Sequence, residues 1–135
     1  MSFMGKKIDD TICRRSLEIA RAMNDERVTD RKRHYAFIWR GTNLISLAQN
    51  ETYRDPLMDY WGYPPESMAH AEFVVIRRLN QIDCRKFTMI TFRLTKTGML
   101  TNGKPCKYCD AVIRHFGFQK IWFSTEDRHL EEIFI

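Results

Sequence analysis

The chain has 135 residues, of which 44 % are hydrophobic and 29 % are charged. This is the composition of a globular protein, and the length predicts a single domain, residues 1–135, with a core of its own. No apolar run approaches the roughly 18 residues of a membrane span, and the N-terminus lacks the apolar region of a signal peptide. We therefore expect a cytoplasmic protein that does not contact a membrane. The net charge of +5 favours anionic partners such as nucleotides or nucleic acid.

The first part of the chain predicts one helix followed by a β-hairpin. Residues 9–11 offer N-cap oxygens, and apolar residues then recur at helical spacing through about residue 24. After a charged connection, the apolar segments 34–40 and 44–49 flank the turn Gly41-Thr42-Asn43, which indicates two antiparallel strands. Both strands are apolar on both faces, as expected for a sheet that is covered by helices.

The segment 50–68 is predicted to be a long irregular loop that contains four aromatic residues, Tyr53, Tyr60, Trp61 and Tyr63. Loops of this length are usually functional or disordered. Two interpretations of the aromatic residues stay open. They could pack the loop onto the protein, or one or two of them could line a substrate pocket and stack on a base.

The rest of the chain predicts alternating helices and strands. They are, in order, a helix at 69–81, a strand at 87–95, a helix at 105–117, and strands at 120–125 and 130–135. Only four residues separate the last two strands, which leaves no room for a crossover helix, so the last strand should be antiparallel to its neighbour. The order α-β-β-α-β-α-β-β predicts an α/β fold, a three-layer α/β/α sandwich around a central mixed sheet of five strands.

Two short motifs supply the ligands of a metal site. An H-A-E motif opens the helix at 69–81, and a P-C-K-Y-C motif opens the helix at 105–117. Imidazole nitrogen and thiolate sulfur are ligands of Zn²⁺, and a catalytic zinc takes three protein ligands and leaves a fourth position for water. We therefore predict that His70, Cys106 and Cys109 bind Zn²⁺ and that Glu72 transfers protons, as in the H-x-E…P-C-x-x-C signature of zinc deaminases.

A C-x-x-C pair alone is a weaker signal, because structural zinc sites and redox pairs also contain it. A structural site would need a fourth ligand, and neither of the two other cysteines, Cys13 and Cys84, belongs to a second C-x-x-C pair. A redox pair would not need the H-x-E motif upstream. We expect Cys13 and Cys84 to be buried free thiols in a reducing compartment.

On these two motifs, the chain resembles the cytidine deaminase superfamily from about residue 11 to residue 125, and it is similar to the small phage-type and deoxycytidylate-deaminase-like members. The resemblance implies that Asn50 forms a hydrogen bond to the sugar of the substrate. It also implies that the backbone around Ala71 and Cys106 reads the polar edge of the base, and that the protein is a homo-oligomer whose neighbouring loops complete each pocket.

Two features depart from this resemblance. The family often has G-x-N and then H-P where this chain has Ala48-Gln49-Asn50 and then Asp55-Pro56. The antiparallel last strand is similar to that of the nucleoside deaminases, whereas the deoxycytidylate and tRNA adenosine deaminases have a parallel last strand. The motifs and the C-terminal topology therefore point to different branches of the superfamily.

The leading hypothesis is a zinc-dependent hydrolase that converts cytosine to uracil on a free nucleoside or nucleotide and releases ammonia. A nucleotide would need a phosphate site, for which Arg54 and Lys107 are candidates, although both could be ordinary surface charges. The alternative is an enzyme that deaminates cytosine or adenine in single-stranded DNA or RNA, which the basic composition and the loop aromatics fit. A third hypothesis is a binding module with a structural zinc. None of these requires His34, His115 or His129.

Overall fold

The computed structural model describes residues 7–24, 33–125 and 130–134, which form four helices and six strands. The helices are α1 (Lys7–Met23), α2 (Leu57–Tyr60), α3 (Ala71–Leu79) and α4 (Lys107–His115). The strands are β1 (Arg33–Arg40), β2 (Asn43–Gln49), β3 (Thr88–Leu94), β4 (Leu100–Thr101), β5 (Lys120–Ser124) and β6 (Leu130–Phe134). The predicted connection at 25–32 and the predicted turn at 126–129 lie outside the described residues.

The strands form one mixed sheet in the order β2-β1-β3-β5-β6. The pairs β1–β2, β1–β3 and β5–β6 are antiparallel, and β3–β5 is parallel. The predicted mixed sheet of five strands and the antiparallel last strand are therefore confirmed. The two-residue strand β4 pairs with the end of β3, in a segment where the sequence predicted only a loop.

Two apolar cores cover the two faces of the sheet, because side chains alternate along each strand. On β1, the side chains of Tyr35, Phe37 and Trp39 belong to the core under α1, together with Ile12. The intervening residues Ala36 and Ile38 belong to the core under α3 and α4, together with Val75 and Ile113. This arrangement confirms the predicted α/β/α layers, and it places α3 and α4 on the same face of the sheet.

Helix α1 begins earlier than predicted. Asp9 and Asp10 lie in its first turn rather than at its N-cap. The predicted burial of Cys13 and Cys84 is confirmed, since both side chains are fully buried. Burial raises the pKa of Cys84 to about 11. Within the described ranges, no helix is both long and apolar enough to cross a membrane.

Candidate metal centre and adjoining cavity

The first residues of helices α3 and α4 bring the two predicted motifs together. His70 is the N-cap of α3 and Cys106 is the N-cap of α4, and both have the extended backbone that an N-cap needs. The helices are therefore shorter at this end than predicted, and Pro105 precedes α4 instead of opening it. The Cys106 sulfur accepts a hydrogen bond from the Cys109 backbone N–H at 3.5 Å, in the way that a capping oxygen does.

Three donor atoms form a cluster that could hold a metal ion. His70 Nδ1 lies 3.5 Å from Cys106 Sγ and 3.4 Å from Cys109 Sγ, and all three donor atoms lie within 4.8 Å of one another. Nitrogen and sulfur ligands of one tetrahedral zinc ion are about 3.6 Å apart, given the usual zinc–ligand bond lengths. The donor spacing therefore fits zinc. Among the described residues, no other histidine, cysteine or acidic side chain joins this cluster.

The ionisation of the two thiols also fits a cation. Hydrogen bonding from the Cys109 side chain, assisted by His70, outweighs desolvation and lowers the pKa of Cys106 to about 4. Burial raises the pKa of Cys109 well above its ordinary value, and the nearby Cys106 and Glu72 raise it further. The protein by itself therefore favours one thiolate. A bound cation would make the second thiolate favourable as well, because it compensates the buried charge.

Tyr63, in the loop that precedes α3, packs against the cluster of three donor residues. Its hydroxyl oxygen lies 2.9 Å from Cys109 Sγ, and its ring packs against His70, Phe73 and Tyr108. Burial and the neighbouring cysteines raise the pKa of Tyr63, so the phenol stays protonated. It can therefore donate a hydrogen bond to a Cys109 thiolate, as groups around a metal ligand commonly do.

Glu72 is the second residue of α3 and is completely buried. Within the described part of the chain, neither of its carboxylate oxygens has a hydrogen-bond partner. The nearest basic group is His34 Nε2, 3.6 Å from Oε1, and this nitrogen is itself buried without a hydrogen bond. Since an unpaired buried carboxylate is costly, Glu72 is available to a group that enters the site.

A cavity of about 590 Å³ opens on to the cluster of donor residues, and His70, Glu72 and Cys106 are among the residues that line it. This volume lies in the range of small-molecule sites. One wall comes from the segment between β2 and α3, including Asn50 and Glu51, and the opposite wall comes from β3 and the loop before α4. His34, at the start of β1, lies between the two walls, although no local sequence pattern predicts that it belongs to the site.

Two of the predicted substrate contacts are located close to the cluster. Asn50 lines the cavity, and its side-chain oxygen accepts a hydrogen bond from the His34 backbone N–H at 3.2 Å. This contact fixes the end of β2 against the start of β1. Ala71 is fully buried at the first position of α3 and is not among the described residues that line the cavity. The substrate contacts proposed for Asn50 and Ala71 stay predictions.

Arg54 and Lys107 lie outside the lining of the cavity. The Arg54 guanidinium donates hydrogen bonds to the carbonyl oxygens of Pro64 at 2.7 Å and Ser67 at 2.9 Å, and it also pairs with Asp59. It therefore holds the loop before α3 in place. Lys107 Nζ lies 5.1 Å from the centre of the Tyr108 ring.

Two of the four loop aromatics, Tyr63 and Trp61, support the packing interpretation. Tyr63 is buried against α3 and α4, and Trp61 packs against His115 with ring centres 5.0 Å apart. Tyr53 and Tyr60 are 51 % and 79 % exposed. None of these four rings is among the described residues that line the cavity.

Comparison with known proteins gives no independent assignment. No family model matches the chain, and no curated protein is significantly similar to it. Any activity must therefore be argued from the residues of this site.

Proposed function

We propose that this protein is a zinc-dependent hydrolytic deaminase that converts a cytosine base to uracil on a free nucleoside or nucleotide. One observation carries the proposal: two helix N-termini present three metal donors, and at the same cavity lies a buried carboxylate that has no hydrogen-bond partner among the described residues. Three donors rather than four are typical of a catalytic zinc site. The spacing of these residues is that of the deaminase signature, in which the glutamate is not a zinc ligand.

His70, Cys106 and Cys109 would hold the zinc ion, whose chemistry is that of a Lewis acid able to make water nucleophilic near neutral pH. Glu72 would accept a proton from the attacking water and pass it to N3 of the base. It would then deliver the second proton of that water to the departing amino group. The oxygen of the water bonds to C4, and the bond between C4 and the exocyclic amino nitrogen breaks. One water is therefore consumed and one ammonia is released without any redox change.

The burial of Glu72 serves this role. A carboxylate that is shielded from bulk water and has no hydrogen bond from the protein can give its oxygens to the reacting groups. Asn50, beside the same cavity, would bind the sugar, and the backbone at Ala71 and Cys106 would contact the base. These substrate contacts are part of the proposal.

Replacing Glu72 by glutamine tests the catalytic role directly. The amide keeps the size of the side chain but cannot accept a proton, so we expect kcat for ammonia release to fall by about 10²- to 10⁴-fold. Zinc content and the circular dichroism spectrum should stay unchanged. Glu18→Gln, an exposed change on α1, is the matched control. Loss of zinc from Glu72→Gln, or retention of near-normal turnover, would show that Glu72 is not the proton carrier.

The substrate itself is found by a chromatographic screen of the zinc-loaded protein against cytidine, deoxycytidine, their monophosphates, adenosine and short single strands. The net charge of +5 favours a second candidate, deamination of a base within single-stranded DNA or RNA. Turnover of an oligonucleotide, with an affinity that falls steeply as salt rises, would select that candidate. A protein with a purely structural zinc would turn over none of these compounds.

A further inference from the structure

The wall of the cavity opposite Asn50 carries positive charge. It consists of Arg93 on β3 together with Asn102 and Lys104 in the loop before α4, and these three residues are called the cationic wall. All three line the same cavity as Glu72, His70 and Cys106. No part of the deamination chemistry described above uses them.

The side chain of Arg93 is on the face of the sheet that carries the site. Its neighbours Phe92 and Leu94 point into the core under α1, so the alternation of side chains directs Arg93 to the opposite face, towards α3 and α4. Its cross-strand neighbour on β1 is His34, whose imidazole reaches Glu72. Arg93 therefore lies on the same side of the sheet as His34 and Glu72 and lines the same cavity.

The guanidinium of Arg93 is not committed to another protein group in the part of the chain that the structure describes. Other arginines on the loop and helices that carry the site are used differently. Arg54 binds loop carbonyl oxygens, Arg77 pairs with Asp55 at 2.9 Å, and Arg114 pairs with Asp110 at 2.8 Å. A half-buried guanidinium that lines a cavity without such a partner is suited to bind an anion from outside.

The loop that carries Lys104 is fixed against β3 and β5. The Gly103 carbonyl oxygen accepts a hydrogen bond from Thr91 Oγ1 at 2.8 Å, and the Gly103 N–H donates to the Ser124 carbonyl oxygen at 2.8 Å. A Cβ atom at Gly103 would lie only 2.9 Å from the backbone nitrogen of Arg93. This close approach fixes the backbone directly before Lys104 against the backbone of Arg93, and both side chains line the same cavity.

Acidic residues line the other side of the cavity. Glu51 follows β2 and lies 3.7 Å from the guanidinium of Arg78, and Glu66 is exposed in the segment before α3. The charges in the cavity are therefore divided, with cations on the wall from β3 and carboxylates on the wall from β2. A ligand with one anionic group would be oriented by this division.

We propose that the cationic wall binds a phosphate group of the substrate, so that the preferred substrate is a cytosine nucleotide rather than a nucleoside. This inference rests on the proposed deaminase function. Arg93 would hold two phosphate oxygens through its planar fork of N–H groups, and Lys104 would supply a second positive charge. The phosphate could belong to a free nucleoside monophosphate or to one nucleotide of a single strand, since the chemistry of recognition is the same.

The test compares kcat/KM for CMP and dCMP with kcat/KM for cytidine and deoxycytidine. We expect the wild-type protein to favour the monophosphates. Arg93→Ala and Lys104→Ala should each lower the ratio of nucleotide to nucleoside by about 10- to 100-fold, which is the effect of losing charge-assisted hydrogen bonds. Arg93→Lys should restore part of the ratio, because it keeps the charge without the fork. Arg40→Ala, at the exposed opposite end of β1, is the matched control.

The two phosphate sources are separated by adding a short single-stranded oligonucleotide as a substrate. If kcat/KM for the oligonucleotide is higher than for dCMP and the same variants reduce its turnover, the cationic wall binds a backbone phosphate. If kcat/KM for dCMP is higher than for the oligonucleotide, the cationic wall binds the phosphate of a free nucleotide. Equal kcat/KM for nucleosides and nucleotides in the wild type, or an unchanged ratio in both alanine variants, would overturn the inference.

Failure of the deaminase function would be visible separately. If no cytosine compound is turned over, calorimetric titration with dUMP and with deoxyuridine still measures the contribution of the phosphate. If dUMP binds more tightly than deoxyuridine and this difference is lost in Arg93→Ala and Lys104→Ala, the proposed phosphate site stands although the proposed reaction does not. If the two compounds bind equally, the proposed phosphate site fails as well.

Discussion

The hydroxyl of Tyr63 contacts Cys109, the most buried of the three metal donors, from outside the two motifs. It lies 2.9 Å from Cys109 Sγ. A thiolate in a buried position needs donors to balance its charge, and a protonated phenol is one. The aromatic ring and the hydroxyl therefore have separate functions, since the ring packs the loop and the hydroxyl stabilises the ligand.

Tyr63→Phe separates these two functions, because it removes only the hydroxyl. We expect zinc affinity to fall by about 10- to 100-fold, as is usual when a group that hydrogen-bonds to a metal ligand is lost. The fold should persist, because the ring keeps its contacts with His70 and Phe73. Competition with a chromogenic chelator measures the affinity, and Tyr53→Phe, a half-exposed tyrosine in the same loop, is the control. An unchanged zinc affinity would mean that the hydroxyl does not stabilise the thiolate.

At the scale of elements, the helices that carry the metal donors could be predicted because motif and helix are contiguous in the sequence. His70 and Glu72 belong to α3, and Cys106 and Cys109 belong to the start of α4, so local spacing is enough to place them. The capping roles of His70 and Cys106 shortened both helices relative to the prediction. Helix ends depend on which side chain accepts the first backbone N–H, and a sulfur acceptor is not an obvious cap.

The two walls of the cavity could not be predicted in the same way, because they depend on strand register. His34 and Arg93 are 59 positions apart in the sequence but are direct neighbours across β1 and β3. A shift of one residue would turn both side chains to the other face of the sheet. Arg54 was a candidate for phosphate binding because it lies in the loop before α3, yet three carbonyl oxygens of that loop take up its donors. Neither the cross-strand pairing of His34 with Arg93 nor the hydrogen bonds of Arg54 to the loop carbonyl oxygens can be recognised from the neighbouring residues in the sequence.

The loop between β4 and α4 provides a test of how one element positions another. In Gly103→Ala, the new Cβ would lie 2.6 Å from Ser124 Oγ and 2.9 Å from the Arg93 backbone nitrogen, so the loop must move away from β3. We expect a loss of about 1–3 kcal/mol of stability, measured by urea unfolding, and a lower ratio of nucleotide to nucleoside turnover. Gly98→Ala adds the same methyl group where nothing lies within 4 Å. Its positive φ of 87° makes the alanine strained and costs stability as well, but the variant should leave that ratio unchanged. A shift of the ratio in both variants would argue against the specific packing of Gly103.

At the scale of the whole molecule, the metal site joins two helices that share one face of the sheet but are separated in the chain by β3 and β4. Helix α3 supplies one donor and α4 supplies two. An ion bound only by the folded arrangement stabilises that arrangement in proportion to the logarithm of its concentration over Kd. Zinc should therefore contribute to the stability of the domain as well as to its chemistry.

Removing the metal tests this contribution. At zinc concentrations near one hundred times Kd, binding adds about 2.7 kcal/mol, so a chelator should lower Tm by about 10 °C in a domain of this size. Scanning calorimetry measures the shift, and added zinc should reverse it, whereas Mg²⁺ should not, because Mg²⁺ prefers oxygen ligands. Cys106→Ser should have a low Tm that no longer responds to the chelator, and Glu72→Gln should respond like the wild type, since Glu72 is not one of the donors. If complete removal of the metal left Tm unchanged, the cluster would not connect α3 to α4 through an ion.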